Sequence, residues 1–393
     1  MTNPFIIKDI RVYVLKPGSK GGTYFKAGEG HWLVDTLISN PMHAYPEYRA
    51  KRSSWGINVL GSLIVEIESA DGTIGVAAGS GGMPAAWLVR HHFDRFLRGQ
   101  DARNTNMIWD QLFRASLPYG RKGLTIFAIS AVDLALWDLI GKVRGEPVYN
   151  MIGGRSRDEI NFYCTSPHAK AVQDLGFFGA KVPLPEGPYD GEAGLRRNVA
   201  YLTEQRAAIG PDYPLMVDCY MSLDVPYIIR LAEACKHLDI HWWEEVLSPE
   251  DIEGYRQIKQ AHPTIKFTTG EHEYTRFGFR RLIEERTLDI VQPDVMWVGG
   301  MTELLRIAAH ASAYDVTVVP HGSGPYSYHF ITSQTGPAFC EYVAASPDGR
   351  SIQPVFGSLF TGEQLPQNGK MRLSDAPGFG MELADHDMLA RVD

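Results

Sequence analysis

From Asp158 onward, short β-rich runs alternate with amphipathic helical stretches at nearly even spacing, and this rhythm restricts the fold more than any other feature of the chain. It is the pattern of βαβ units that build a parallel sheet. The runs are Ile160–Thr165, Phe177–Val182, Leu215–Cys219, Ile240–Glu244, Lys266–Thr269, Ile290–Gln292, Thr317–Val319 and Cys340–Val343. Eight runs fit a (β/α)8 TIM-type barrel, whereas a doubly wound sheet needs only about five or six. The chain has 393 residues. One barrel uses about 250, which leaves room for a second domain.

The residues ahead of the barrel supply it. Phe5–Val14 and Ile57–Ala78 read as strands, with Asp71-Gly72 as a hairpin turn, and helical periodicity runs from about Trp87 to Ile140, closed by Gly141. The polar stretch from about 16 to 56 carries His31, Trp32, His43, Arg52 and Trp55, and a segment of this length and content reads as a lid. The expected layout is an N-terminal α+β capping domain over 1–130, a barrel over 131–355, and a tail over 356–393 packing back on the first domain.

Ionisable groups recur at the C-terminal ends of the barrel runs, where barrel enzymes place their catalytic residues. Asp218, Glu244, Glu271, Asp294, His321 and Glu341 follow one another at steps of 26, 27, 23, 27 and 20 residues, each about one βα unit. Asp218, Glu244 and Glu271 are three hard oxygen donors on adjacent strands, a set that suits Mg²⁺ better than zinc. A lone acid in such a place is ordinarily a helix cap, but three in register are not. Glu245 is expected on the opposite side of its strand, supporting the ligands. Asp294 and His321, one strand apart, suit a pair in which the carboxylate holds one ring nitrogen and leaves the other as acid or base. Glu341 is either a protonated acid that donates to developing negative charge or a buried acid paired with a base. Spacing does not choose between them.

Composition narrows the partners. With 38 Lys and Arg against 46 Asp and Glu, a net charge of −8 and no basic stretch, the chain lacks the footprint of nucleic-acid binding. The most apolar window, Ile126–Ile140, is broken by Asp133 and Asp138, so no membrane span is expected. Met1–Leu15 reads as a strand rather than a signal peptide. The four scattered cysteines read as free thiols in a reducing cytoplasm.

With these residues in place, the chain resembles the enolase superfamily, in the branch related to mandelate racemase, and within it the rhamnonate dehydratases. Ala131-Val132-Asp133-Leu134-Ala135-Leu136-Trp137-Asp138, continuing through Gly145-Glu146-Pro147 to Gly153-Gly154, resembles the branch's helix-to-barrel signature. His31-Trp32, Arg52 with Ser53–Gly61, Val217-Asp218-Cys219, Gly270-Glu271-His272, Gln292-Pro293-Asp294-Val295 and Val319-Pro320-His321-Gly322-Ser323 are similar to the dehydratases' motifs.

The resemblance implies a capping domain over a modified barrel, Mg²⁺ on Asp218, Glu244 and Glu271, and a His321–Asp294 dyad. It also implies proton abstraction at C2 of an acid sugar through a Mg²⁺-stabilised enediolate, with loss of the C3 hydroxyl. His31 and Arg52 would bind substrate from the lid, and His272 would line the pocket or orient Glu271. His329 is a weaker candidate, better read as an ordinary helix residue. L-Rhamnonate is the expected substrate. L-Mannonate or L-lyxonate are alternatives, as is a non-catalytic sugar-acid-binding barrel, and the protein is expected to form a homo-oligomer.

Two departures matter. Racemases of this branch carry Lys-x-Lys on the second strand, whereas this chain reads Lys181-Val182-Pro183, which disfavours two-base racemisation. Lys181 is then expected to contact the substrate carboxylate or a ligand, or to be simply solvated. The second departure is Glu244-Glu245-Val246, where many members have proline after the paired acids, and it leaves the choice of ligand open between Glu244 and Glu245.

Overall fold

The computed structural model describes residues 3–16, 30–52, 59–336 and 339–393. Strands β1 (Ile7–Leu15), β2 (Ser62–Ser69) and β3 (Ile74–Ser80) form an antiparallel sheet in that order. The β2–β3 turn forms at Asp71-Gly72. Asp71 Oδ1 accepts from Ser69 Oγ at 2.5 Å and Thr73 N at 3.0 Å, and Gly72 takes the left-handed φ of +89° that the turn requires.

Helix Leu124–Arg144 packs along β2 and β3 and also against helix Gly300–Ser312 of the barrel. It stops at Gly145, whose φ of +67° makes the left-handed cap typical of helix C-termini. The domain boundary expected at 130 falls inside it. Its two acids are internal stitches rather than interruptions. Asp138 accepts from the N–H groups of Val76 on β3 and Phe379 in the tail, both at 2.9 Å, and pairs with Lys142 Nζ at 2.9 Å. Asp133 Oδ2 accepts from Thr302 N at 2.9 Å. By length and composition the helix could cross a bilayer, but 89% of its qualifying window is buried inside the fold. Such burial marks a core helix.

Because Asp138 joins three elements, Asp138→Ala leaves two buried N–H groups unpaired and takes from the Lys142 ammonium its buried carboxylate, leaving it the exposed Glu382. It is expected to cost about 3–5 kcal/mol of stability. Urea unfolding of the variant checks this, and a loss below about 1 kcal/mol, the scale of a single ordinary hydrogen bond, would contradict the stitching role.

The barrel strands are β4 (Ile160–Thr165), β5 (Ala180–Pro183), β6 (Leu215–Asp218), β7 (Ile240–Glu244), β8 (Phe267–Thr269), β9 (Ile290–Val291), β10 (Thr317–Val318) and β11 (Phe339–Val343). All eight are parallel and pair in chain order, and β11 returns beside β4, so the sheet curls into a modified (β/α)8 barrel. Ladder bonds are formed at every seam of the described residues except β10–β11. Each of the seven connections carries a helix, so the barrel body is (β/α)7β. The second strand starts later than the sequence suggests, because Phe177 and Phe178 precede the ladder and pack into the core. In the tail, Leu389–Arg391 adds to the edge of the first sheet beside β1, whereas Lys370–Met371 pairs with β4 of the barrel.

Of the lid expected over about 16–56, residues 30–52 are described, and Ser53–Asn58 of its motif lie outside the described residues. The described part is ordered by docking onto the barrel mouth rather than by its own composition. Trp32 Nε1 donates to Ala344 O at 2.9 Å, just past β11, and Ser39 N donates to Leu184 O at 2.8 Å, just past β5. His43 Nε2 lies 2.8 Å from Asp190 Oδ2 and Arg49 Nη1 lies 3.2 Å from Asp190 Oδ1, which ties the same segment to the β5 loop.

Candidate active site

Because the barrel strands run parallel, their C-terminal ends meet on one face, and the chain leaves several of them with backbone turns few residues adopt. Tyr220, Glu245 and Ser323 take φ values of 45°, 46° and 61°. Such conformations cost energy in residues other than glycine and cluster where a site needs particular side-chain directions.

Asp218, Glu244 and Glu271 converge there, each offering an oxygen within 4.8 Å of the others, and all three are buried. Trp242 Nε1 and Gln292 Nε2 donate to Glu244 Oε2 at 3.1 and 2.7 Å, and Tyr220 N donates to Asp218 Oδ1 at 3.1 Å. Glu271 Oε2 is buried without a hydrogen bond, and His321 Nε2 stands 3.3 Å from it. Burial raises the pKa of all three carboxyls. Lys181 pulls Asp218 and Glu244 back toward ionisation, and His321 does so for Glu271. An all-oxygen set with one orphaned buried lone-pair site and too little cationic charge fits a hard divalent cation.

Lys181 is not solvated. Its side chain has no exposed surface, and its ammonium contacts Glu244, reaches Glu341 Oε1 at 2.9 Å and Asp218 Oδ2 at 3.4 Å. It therefore faces the ligand carboxylates rather than an open cavity, and it balances their charge. Glu341 is surrounded by donors, namely Thr165 Oγ1, Lys181 Nζ and Gly322 N, the last at 2.9 Å. Burial alone would raise its pKa, but Lys181 and then His321 hold it below the carboxylate range. This is the arrangement of a buried acid paired with a base, not of a protonated acid with a proton to give.

His321 Nδ1 sits 2.8 Å from Asp294 Oδ2, while Asp294 Oδ1 accepts from Ser323 Oγ at 2.7 Å and Met296 N at 2.8 Å. With the carboxylate fixed on both oxygens, Asp294 holds Nδ1 and the ring turns Nε2 toward Glu271. Burial would lower the pKa of His321, but Glu271, Glu341 and Asp294 outweigh it and raise it well above its ordinary value.

Glu245 departs from strand alternation. The left-handed turn at its own backbone swings the carboxylate to the mouth, where it meets His272 Nδ1 at 2.8 Å. His272 also stands 3.5 Å from Glu271 Oε1, and Glu245 followed by Glu271 lifts its pKa to about 9 against the effect of burial. Glu245, Glu271 and His272 also lie close enough to hold a metal, but there Glu245 Oε2 is already taken up by His272 Nδ1 at 2.8 Å. The geometry therefore separates Glu244, which faces Asp218, from Glu245, which is held by His272.

Of the lid residues, Arg52 lies over the Tyr220 ring at 4.1 Å, beside the Asp218 strand end. His31 Nδ1 accepts from Leu33 N at 3.2 Å and caps helix Trp32–Asp35, with Nε2 3.5 Å from Ala345 O at the end of β11. Burial lowers its pKa, which keeps it neutral. His329 is remote from this cluster. It is buried in helix Pro325–Ser333, where Nδ1 accepts from Tyr149 N at 3.1 Å and the ring packs on Phe379.

Burial pushes the pKa of His329 down to about 3, so the folded protein holds it neutral while the unfolded chain takes up a proton near pH 6.5. Its contribution to stability is complete above pH 6.5 and falls as the pH drops toward 3. Between pH 6.5 and 5 the wild type is expected to lose about 2 kcal/mol through this group. A His329→Gln variant should lose correspondingly less, as read by urea unfolding at both pH values. Equal losses in the two proteins would contradict it.

Comparison with known proteins agrees with this architecture. Residues 57–153 match the mandelate racemase / muconate lactonizing enzyme N-terminal domain, and residues 167–387 match the enolase C-terminal domain-like family. A protein of Caldivirga maquilingensis, provisionally named an L-rhamnonate dehydratase, is 48% identical over 99% of this chain and 96% of its own length. The chain belongs to the enolase superfamily. Among solved members of that superfamily, the rhamnonate dehydratase of Gibberella zeae, crystallised with Mg, is 56% identical, with a TM-score of 0.97 over 100% of this chain and 97% of that one. The 3,6-anhydro-D-galactonate cycloisomerase of Zobellia galactanivorans is 29% identical, with a TM-score of 0.77 over 98% of this chain and 99% of that one.

Sequence spacing picks out the carboxylates and the histidine–aspartate pair that the fold brings together, but it passes over several residues that surround them. Gln292 carries a signal, since it precedes Pro293-Asp294 at a strand end. Thr165 and Trp242 carry none, because their contacts depend on barrel closure.

Proposed function

We propose that this enzyme is a Mg²⁺-dependent hydro-lyase that dehydrates L-rhamnonate to 2-dehydro-3-deoxy-L-rhamnonate. The observation that carries the reading is the His321–Asp294 dyad, in which Asp294 holds Nδ1 and Nε2 faces Glu271 of the all-oxygen triad Asp218, Glu244 and Glu271. The high identity to rhamnonate dehydratases over the full chain supports the substrate.

When bound by the triad, the cation supplies positive charge that stabilises negative charge developing on the substrate carboxylate and offsets the field that keeps His321 protonated. His321 Nε2 then takes the proton from C2, while Asp294 holds Nδ1–H and stabilises the charged ring. The C2–H electron pair moves toward the carboxyl group and returns to expel the C3 hydroxyl, which leaves as water on receiving the proton from His321. The enol so formed tautomerises to the 2-keto-3-deoxy acid. Lys181, itself held by Glu341, neutralises part of the ligand charge, and His272 positions Glu271 through Glu245. Arg52 and His31 contribute to substrate recognition as the lid packs over the mouth. On the second strand, Pro183 offers no second base, which favours elimination over racemisation.

A cytoplasmic homo-oligomer without nucleic-acid or membrane partners fits the buried free thiols, the net charge of −8, and the half-exposed Met83 and Trp87 one turn apart on helix Gly82–Leu88. Light scattering is expected to give a multiple of 43.8 kDa. A monomer would contradict the association.

Substrate choice is tested by kcat/KM for L-rhamnonate, L-mannonate and L-lyxonate with Mg²⁺, scored by 2-keto acid formation. L-Rhamnonate is expected to lead. A higher value for another stereoisomer would overturn the substrate while leaving the chemistry intact, and saturable binding without product would favour a non-catalytic barrel.

A further inference from the structure

The turn that leaves β9 presents two side chains to His321, not one. Asp294 meets the ring at Nδ1, and three residues later Trp297, whose N–H donates to Asp294 O at 3.0 Å, brings its indole against the same ring. The ring centroids are 5.4 Å apart and the planes differ by 37°. His272 lies against the same indole, also at 5.4 Å. The indole is itself held, because Nε1 donates to Ser80 Oγ at 2.8 Å at the end of β3, and Phe127 packs on it at 5.8 Å. Trp297 is 3% exposed and Ser80 is 1% exposed, so this chain from the first sheet to the histidine is dry.

The hydrogen bond at Nδ1 and the 3.3 Å approach of Nε2 to Glu271 place the two nitrogens but leave the tilt of the imidazole plane, and with it the lone pair of Nε2, to be set by what packs on the ring. A flat, immobilised neighbour beside the ring removes this freedom. It also offers a π surface to the ring once it carries the abstracted proton. We propose that Trp297 is a positioning residue that aims His321 Nε2, with Ser80 setting the tilt of the indole, so that the capping-domain sheet takes part in orienting the base. This rests on the reading of His321 as the base that acts at C2.

The test uses full-length Mg²⁺-loaded enzyme carrying Trp297→Phe, Trp297→Leu or Ser80→Ala, with kcat and KM on L-rhamnonate and the histidine NMR signals read together. Misplacing a catalytic group by about 1 Å costs about 100-fold, so Trp297→Leu is expected to lower kcat by about that factor and leave KM within about 3-fold. Trp297→Phe keeps a flat ring and should recover at least about 10-fold of that loss, and Ser80→Ala should lower kcat by about 3- to 10-fold. The Nδ1–H signal of His321, identified by its absence in His321→Asn, should stay sharp in the wild type and Trp297→Phe and broaden in Trp297→Leu.

A folded Trp297→Leu with wild-type kcat and a sharp Nδ1–H signal would overturn the proposal, as would equal losses in the Leu and Phe variants. If Trp297→Leu does not fold, an unchanged kcat in Ser80→Ala overturns it. If the wild type turns over no acid sugar, the assignment of the reaction fails, and the Nδ1–H line in the variants still decides whether Trp297 holds the ring.

Discussion

His321→Asn is expected to lower kcat/KM for L-rhamnonate by about 10³-fold or more, the upper part of the range for loss of a general base. Divalent-cation affinity should not fall, because the ring contributes no ligand and its charge competes with the cation for the carboxylate oxygen 3.3 Å away. The pairing matters because the same ring serves twice, first taking the C2 proton and then returning one to the departing hydroxyl. Removing it therefore disables both halves of the elimination. Steady-state rates with calorimetric titration of Mg²⁺ separate the two effects. Retained turnover would show that another group abstracts the proton, and a lost cation site would show that the defect is structural.

Lys181→Met carries the second large effect, and it falls on stability. The wild-type ammonium is wholly buried against Asp218, Glu244 and Glu341. Breaking a buried charge cluster by removing one partner costs about 3–5 kcal/mol. Without Mg²⁺ the variant should lose about that much stability in urea. Saturating Mg²⁺ should then stabilise it more than it stabilises the wild type, because the cation replaces part of the missing charge and binds only the folded state. A variant as stable as the wild type without Mg²⁺ would contradict this placement of Lys181. Equal stabilisation of both proteins by Mg²⁺ would show that the ammonium and the cation do not share the same carboxylates.

The barrel was legible because its period was long and regular. Eight runs at one-unit spacing define both the strand order and the face on which Asp218, Glu244, Glu271, Asp294 and His321 meet. What escaped the sequence was set by local backbone or by charge packing across strands. Glu245 reaches the mouth only because its φ is 46°, which breaks the alternation that placed it behind the strand. Lys181 on its strand reads as a contact to the substrate carboxylate or a ligand, with a solvated lysine as the alternative, until three carboxylates from neighbouring strands close around it. The state of Glu341 depends on donors from β4, β5 and the His321 loop, none near it in sequence. The lid segment looked irregular because its order comes from Ala344, Pro347 and Leu184 at the barrel rim. Asp133 and Asp138 looked like breaks in an apolar helix because their partners lie on β3, in the tail and on a barrel helix.

The most direct test of the central claim is ¹³C NMR of purified protein incubated with L-rhamnonate and Mg²⁺, then after chelation, then after Mg²⁺ is restored. A 2-keto-3-deoxy acid is expected to form, stop forming and form again. Unaltered L-rhamnonate with Mg²⁺ present, or product formation that continues under chelation, would contradict it.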